Sequence, residues 1–207
     1  MRKSVAYLSF LLLSFLMSVS TAQVMNKGNH SVNFYYGYSV FRSYYINVAE
    51  LIAEDENLEY SISTTGPFGL MYEYMIADVI GLGGELGYSA SEFNWVMDGV
   101  DINLNPAKWN YKVNFATTRI QMRFNFHIVK NERFDTYILF NAGYRKTKFI
   151  VDTSDPFYVP EFTVPLFFPI GVKMGLGVRY FFIKNVGLNA EFALGSPMIS
   201  GGLSIRF

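Results

Sequence analysis

The strongest constraint on the fold of this chain is a regular alternation of apolar and polar residues along short segments. It is clearest at the C-terminus, where Ile199, Leu203, Ile205 and Phe207 alternate with Ser200, Gly202, Ser204 and Arg206. Successive side chains of a β-strand point to opposite faces, so a period of two predicts strands with one apolar and one polar face. After residue 22, no segment has the roughly 18 consecutive apolar residues of a membrane helix.

Seven further segments alternate in the same way. Their apolar positions fall within residues 32–40, 68–76, 80–90, 120–128, 138–144, 170–182 and 188–194. Bacterial outer-membrane barrels use even numbers of such strands, from eight upward. We therefore predict an all-β fold, an eight-stranded antiparallel up-and-down transmembrane β-barrel. The phase slips in the fourth strand, because Val113 and Phe115 are odd-numbered but Ile120 is even-numbered. This slip predicts a β-bulge near residues 116–118.

The connections between these segments alternate in length. Short turns are expected at residues 77–79, 130–134 and 184–186, and a short connection near Ser196–Pro197. Long loops are expected at residues 42–66, 94–110 and 148–168. Short periplasmic turns and longer external loops are typical of outer-membrane barrels, so we predict that the long loops face outward. The third loop is rich in Pro and Phe. It is therefore the first place to look for a surface partner, which the sequence does not identify.

The N-terminus has the organisation of a secretory signal peptide. Arg2 and Lys3 precede an apolar run over residues 5–19, and small residues follow it. We predict a signal peptide at residues 1–22 and an outer-membrane β-barrel domain at residues 23–207, located in the cell outer membrane. A membrane anchor is the alternative, but the run is short for crossing roughly 30 Å of hydrocarbon.

Charge and cysteine content restrict the function classes. The signal peptide holds two cations and no acid, so the remaining chain has a small net negative charge, which disfavours a nucleic-acid partner. The chain has no cysteine and thus no disulfide. A soluble lipocalin-like barrel is the alternative fold, because the sequence alone does not orient the two faces. The glycines of the polar face favour the crowded interior of a small membrane barrel.

Charged residues on the polar face predict a filled lumen. The interior of an eight-stranded barrel is only wide enough for side chains, and a buried charge needs an opposite partner. One network is expected at similar heights above the short turns: Glu73, Glu85, Arg123, Arg179 and Glu191. Above it, Arg119, Arg145 and Lys173 are expected to form a basic layer. Repulsion in that layer requires water, a bound anion, or the acidic segment 50–56 folding over the mouth.

No catalytic residue, metal site or cofactor is predicted. The two histidines, His30 and His127, lie far apart and lack metal-ligand spacing. A dinucleotide loop at residues 81–87 fails, because its third glycine position is Leu86. A lipid hydrolase or acyltransferase is the alternative class, and it needs a His beside a Ser nucleophile near the outer rim. His127 and the pair His30-Ser31 are expected at the opposite end.

Aromatic residues make up 18% of the chain and predict two interfacial girdles. Tyr74, Tyr137, Tyr180 and Phe207 are expected near the periplasmic ends, and Tyr88, Trp95, Trp109 and Tyr144 near the outer ends.

Three segments carry a resemblance to a known family: residues 66–74 (GPFGLMYEY), 80–89 (IGLGGELGYS) and 203–207 (LSIRF). The chain resembles small OmpA/OmpX-like outer-membrane barrels, especially porin-family proteins of the Bacteroidota. We expect a monomer surrounded by outer-membrane lipid and lipopolysaccharide. The resemblance implies that Phe207 is read by the barrel-assembly machinery during insertion. The family includes structural proteins, adhesins and narrow channels. We therefore expect a structural or surface-interaction role, with a narrow channel for small solutes as the alternative.

Overall fold

A computed structural model of the protein describes residues 25–39, 47, 59–157 and 169–207, in which eight antiparallel strands close into a barrel. The strands are β1 (His30–Tyr38), β2 (Glu59–Ala77), β3 (Ile80–Val100), β4 (Pro106–Lys130), β5 (Phe134–Thr153), β6 (Ile170–Phe181), β7 (Val186–Leu194) and β8 (Ile199–Arg206). Each strand pairs with the next, and β8 pairs with β1. The predicted fold class is confirmed. The predicted signal peptide lies outside the described residues.

The alternation sorts side chains between the inside and the outside of this ring. Phe34, Ile120 and Leu176 are exposed on the outside, whereas Glu73 and Arg179 are buried inside. A soluble lipocalin-like barrel would have the apolar face inside, so this orientation excludes it. An apolar outer band around a polar interior is the arrangement of membrane barrels.

The two ends of the barrel differ. At one end, here called the turn end, residues 78–79, 131–133 and 182–185 connect the strands, close to the predicted turns. At the other, the loop end, residues 195–198 join β7 to β8. The acidic segment 50–56 lies outside the described residues. No helix in the described ranges is long and apolar enough to cross a membrane.

Four strands continue beyond the ring at the loop end, which corrects the predicted loops. The prediction of a loop at 94–110 is wrong, because β3 and β4 continue as strands and only residues 101–105 connect them. In the same way, β2 begins at Glu59 and β5 ends at Thr153. Their pairing continues residue by residue, from Thr65↔Ala90 up to Glu59↔Val96. We call residues 59–65, 89–100, 106–118 and 145–153 the extension.

The predicted bulge near residues 116–118 is also wrong. The register of β3 against β4 is unbroken from Ile80↔Phe126 to Val100↔Pro106, a stretch that the structure describes completely. Val113 and Phe115 occupy the same face as the buried Arg119, and their neighbours Lys112 and Asn114 occupy the opposite face. Inside the ring, the apolar side chains lie on the outer face. Beyond the ring, the apolar side chains lie on the face that continues the lumen side of the strand.

A small apolar cluster lies at the turn end of the lumen. It consists of Met25, Met75 and Phe181, all of them buried. The segment before β1 is held there by the amide of Gly28, which donates to the Met75 carbonyl at 2.8 Å. The lumen is thus filled from this end by apolar side chains.

Candidate functional site

Two glutamates and two cations form a cluster in the middle of the lumen, here called the central cluster: Glu85, Glu191, Arg123 and Lys173. The Lys173 ammonium donates to Glu85 Oε2 at 3.2 Å and to Glu191 Oε2 at 2.8 Å. Arg123 Nη1 lies 3.3 Å from Glu85 Oε2, and Arg123 Nη2 pairs with Glu191. Opposite charges are equal in number, which is what buried ions require to offset their desolvation.

Neutral donors complete the coordination of these two carboxylates. Glu85 accepts from the Tyr35 hydroxyl at 2.8 Å and from Asn141 Nδ2 at 2.6 Å. Glu191 accepts from the Tyr137 hydroxyl at 2.8 Å. A buried ion pair stabilises a fold only when further hydrogen bonds satisfy its remaining lone pairs. The central cluster meets that condition at both carboxylates.

A second cluster lies nearer the turn end, here called the turn-end cluster: Glu73, Asp135, Arg179 and His127. Arg179 donates to Glu73 Oε2 at 2.5 Å and to Asp135 Oδ2 at 3.3 Å. The ring of His127 lies between the same two acids, with Nδ1 2.7 Å from Asp135 Oδ1 and Nε2 3.0 Å from Glu73 Oε1. Asn125 Nδ2 also donates to Glu73, at 2.6 Å.

Tyr137 joins the two clusters, which corrects its prediction as a lipid-facing girdle residue. Its ring is buried in the lumen at 1% exposure. The guanidinium carbons of Arg179 and Arg123 lie 4.4 and 5.5 Å from its ring centroid. Gly177 is its cross-strand partner, and a Cβ there would overlap the ring. Glycine at this position therefore makes room for the tyrosine.

The predicted charge network is placed together in the lumen, although in two clusters rather than one. Glu85, Arg123 and Glu191 belong to the central cluster, and Glu73 and Arg179 to the turn-end cluster.

The predicted basic layer is wrong for Lys173. Lys173 is level with Arg123, because Asn141 pairs with both of them. Counting residues from the turns neglected the stagger that closes a barrel. Arg119 is buried and donates to Ser196 Oγ at 2.7 Å, whereas its cross-strand partner Arg145 is exposed.

Sequence reasoning missed several members of the two clusters. Asp135 and Tyr137 share the inward parity of Asn141, so continuing the alternation to the start of β5 would have found both. His127 was considered only as a metal ligand or catalytic base. Tyr35 had no charge to mark it, and its inward direction follows only from the parity of Asn33.

The extension presents an apolar face, which continues the inner face of the lumen. We call it the aromatic face: Tyr60, Phe93, Trp95, Tyr111, Phe115 and Phe149. The Phe93 centroid lies 6.2 Å from Tyr60 and 5.1 Å from Trp95. Trp95 stacks on Tyr111 at 5.3 Å, and Phe115 contacts Phe149 at 4.8 Å. Apart from Phe93 and Trp95, which are neighbours on β3, these contacts join adjacent strands and stabilise the extension.

The opposite face of the extension is polar. Lys112 donates to Glu92 at 2.8 Å, and this hydrogen bond lowers the pKa of the Glu92 carboxyl. At the tip, the amides of Asn105 and Asn103 donate to Asp101 Oδ1 at 2.8 and 2.7 Å. A polar outer face suits strands that have left the lipid.

The predicted outer girdle is wrong for both tryptophans. Trp95 belongs to the aromatic face, and Trp109 lies on the same face against Gly99, within the extension. Tyr88 and Tyr144 remain on the outside of the ring, where both are exposed. The alternation in β3 and β4 continues past the predicted loop boundary. The face on which Trp95 and Trp109 lie could therefore have been predicted from their odd residue numbers.

The residues considered for catalysis are kept apart by the fold. His30 points outward, with Nδ1 2.7 Å from the Tyr72 hydroxyl, and its ring stacks on Phe207 at 5.5 Å. Ser31 points inward and its hydroxyl donates to Glu73 at 3.4 Å. Among the described residues, no group of three or more His, Cys, Asp or Glu could hold a metal ion.

Comparison with known proteins gives a family match. The model of a family described as outer membrane protein beta-barrel domain matches residues 9–199. No curated protein matches the chain in sequence.

Two solved structures show a distant likeness to this chain. One is Ail, the attachment invasion locus protein of Yersinia pestis, with 14% identity, 87% of this chain and 99% of that chain covered, and a TM-score of 0.37. The other is the N-terminal β-barrel domain of OprF from Pseudomonas aeruginosa, with 10% identity, 88% and 100% coverage, and a TM-score of 0.32.

Proposed function

Because the chain belongs to the family of outer-membrane β-barrel proteins, we propose that it is a structural and surface-interaction barrel whose lumen is plugged by charged side chains. The observation that carries this proposal is the packing of the lumen. Arg123, Lys173 and Arg179 are each at most 2% exposed, as are Glu73 and Glu85. Long side chains with this burial leave no continuous water path at their level, since an eight-stranded barrel has room only for its side chains.

The extension supports the surface part of the proposal. Its strands rise from the loop end, where outer-membrane barrels carry their external loops. One face carries exposed Tyr60 and Phe115, and contiguous apolar surface of this kind marks interaction sites. We propose that the aromatic face and the loops beside it contact a partner at the cell surface.

The surroundings of the barrel follow from the same proposal. Outer-membrane lipid and lipopolysaccharide contact the apolar outer band, and the barrel acts as a monomer. The barrel-assembly machinery recognises the C-terminal strand ending in Phe207. A nucleic acid is not a partner, and the protein is not an enzyme. Incubation with lipid A or phospholipid should give no turnover, and measurable turnover would refute the last statement.

Conductance in planar lipid bilayers tests the plugged lumen. The wild-type protein should give no stepwise current. The double variant Arg123→Ala/Glu191→Ala removes one cation and one acid together, keeps the cluster neutral and empties space, so it should conduct. Large steady currents in the wild type would instead establish the narrow channel.

The surface role needs a separate measurement. Cells that display the protein should attach to polystyrene or aggregate more than cells without it. Trp95→Ser changes the aromatic face and should reduce this effect, whereas Asn94→Ser changes the opposite face and should not. Equal attachment by both variants would refute a role for the aromatic face.

A further inference from the structure

The position of His127 has a consequence for the charge of the lumen. Both of its ring nitrogens face carboxylate oxygens, at 2.7 Å from Asp135 and 3.0 Å from Glu73. An ionised carboxylate only accepts hydrogen bonds, and a neutral imidazole has a single N–H donor. One of the two contacts would therefore set lone pair against lone pair if the ring were neutral. Both contacts are satisfied when the ring carries two protons.

Charge balance leads to the same state. The central cluster is neutral, with two acids and two cations. The turn-end cluster has two acids and one arginine, and with both acids ionised these residues are neutralised when His127 is an imidazolium. An uncompensated charge in such a site costs several kcal/mol.

Several polar and charged groups lie around His127. Those facing the ring are Glu73 on β2, Asp135 and Tyr137 on β5, Arg179 on β6, and Asn125 and Arg123 on β4. Arg123 is engaged in the central cluster. Arg206 on β8 lies at the rim of the turn end, where its guanidinium meets the Lys184 carbonyl and the Phe181 ring, and its charge also acts on Asp135.

We propose that His127 is retained as an imidazolium in the assembled barrel and acts as the second cation of the turn-end cluster, which makes the stability of the barrel depend on pH. This proposal rests on the plugged lumen described above. A histidine of the unfolded chain has lost its proton above about pH 7.5. The folded barrel then binds one proton more than the unfolded chain. Stability is full below the pKa of an unfolded histidine, about 6.5, and falls as pH rises above it. Above about pH 7.5 the unfolding equilibrium constant increases about tenfold per pH unit.

Two measurements test the proposal. The first is the ¹⁵N spectrum of histidine-labelled protein in detergent micelles at pH 8, with His30→Gln used to leave a single histidine. Two protonated ring nitrogens are expected. A neutral tautomer would overturn the proposal, and this measurement does not depend on any His127 variant being able to fold.

The second measurement is urea unfolding between pH 7.5 and 9. The chain has no cysteine and only two histidines, so few other side chains titrate in this window. Wild type and His30→Gln should both show the tenfold rise per unit, and His127→Gln should not. A pH-independent wild type would overturn the proposal. A conducting wild-type lumen would contradict only the plugged-lumen function, because the titration is measured separately.

Discussion

Removal of Glu85 is the most informative perturbation of the lumen. Glu85 is 1% exposed and accepts from Tyr35, Arg123, Asn141 and Lys173. Glu85→Ala leaves the central cluster with two cations and one acid. It also removes the acceptor of a buried hydroxyl and a buried amide. Breaking one partner of a buried ion pair costs about 3–5 kcal/mol. Water that enters the vacated space will satisfy the two neutral donors, so we expect a loss of about 4 kcal/mol.

A double variant separates lost charge balance from lost packing. Glu85→Ala/Lys173→Met removes one acid and one cation, and Arg123 keeps Glu191 as its partner. Replacing both members of a buried ion pair with uncharged side chains often changes the free energy of unfolding very little. The double variant should therefore lose less than half of what Glu85→Ala loses, although it changes more atoms.

Urea unfolding in lipid vesicles, followed by the circular dichroism of the sheet, measures both losses. Glu92→Ala is the matched control, because Glu92 pairs with Lys112 at 2.8 Å on the partly exposed face of the extension. Water screens such a pair, so the control should leave the urea midpoint unchanged. An unchanged midpoint in Glu85→Ala would refute the buried network. The buried network would also be refuted if the double variant lost as much stability as Glu85→Ala and Lys173→Met lose together when each is measured alone.

Three further predictions concern topology, assembly and lumen packing. Trypsin added to intact cells should cut at Lys108 in the extension and spare Lys184 at the turn end, and cleavage at Lys184 would reverse the orientation. Phe207→Ser should lower the amount of assembled barrel, because Phe207 pairs with β1 and belongs to the outer apolar surface; unchanged heat-modifiable migration on gels would contradict this. Gly177→Ala should lower the urea midpoint by displacing the Tyr137 ring. Gly201→Ala should leave it nearly unchanged, because the added Cβ would lie 3.5 Å from the Asn189 carbonyl oxygen, an ordinary contact distance.

The ring of strands could be predicted from the sequence because every side chain that faces lipid has to be apolar. Within the barrel, alternation gave both the strand number and the inward direction of residues such as Glu85 and Arg179. The rule ends where the strands leave the lipid. Val113 and Phe115 then suggested a bulge, although their direction had not changed and only their surroundings had.

The composition of the charge clusters was less predictable. Which charges meet depends on the stagger between strands, and pairing such as Arg123↔Asn141↔Lys173 is set by the whole ring. The partner of His127 likewise depended on contacts between β2, β4 and β5. These relations are long-range, and periodicity along one strand carries no information about them.

Both tryptophans of the chain, Trp95 and Trp109, lie in the extension, on strands that run uninterrupted into the barrel. Tryptophan fluorescence, excited selectively, therefore reports on the extension, whereas the dichroism of the sheet reports mainly on the ring. Within the described residues, the extension does not close into a ring, which places it among the segments that open at lower free energy. The tryptophan fluorescence should therefore change at a lower urea concentration than the dichroism. In that case β3 and β4 each belong to two units that unfold separately.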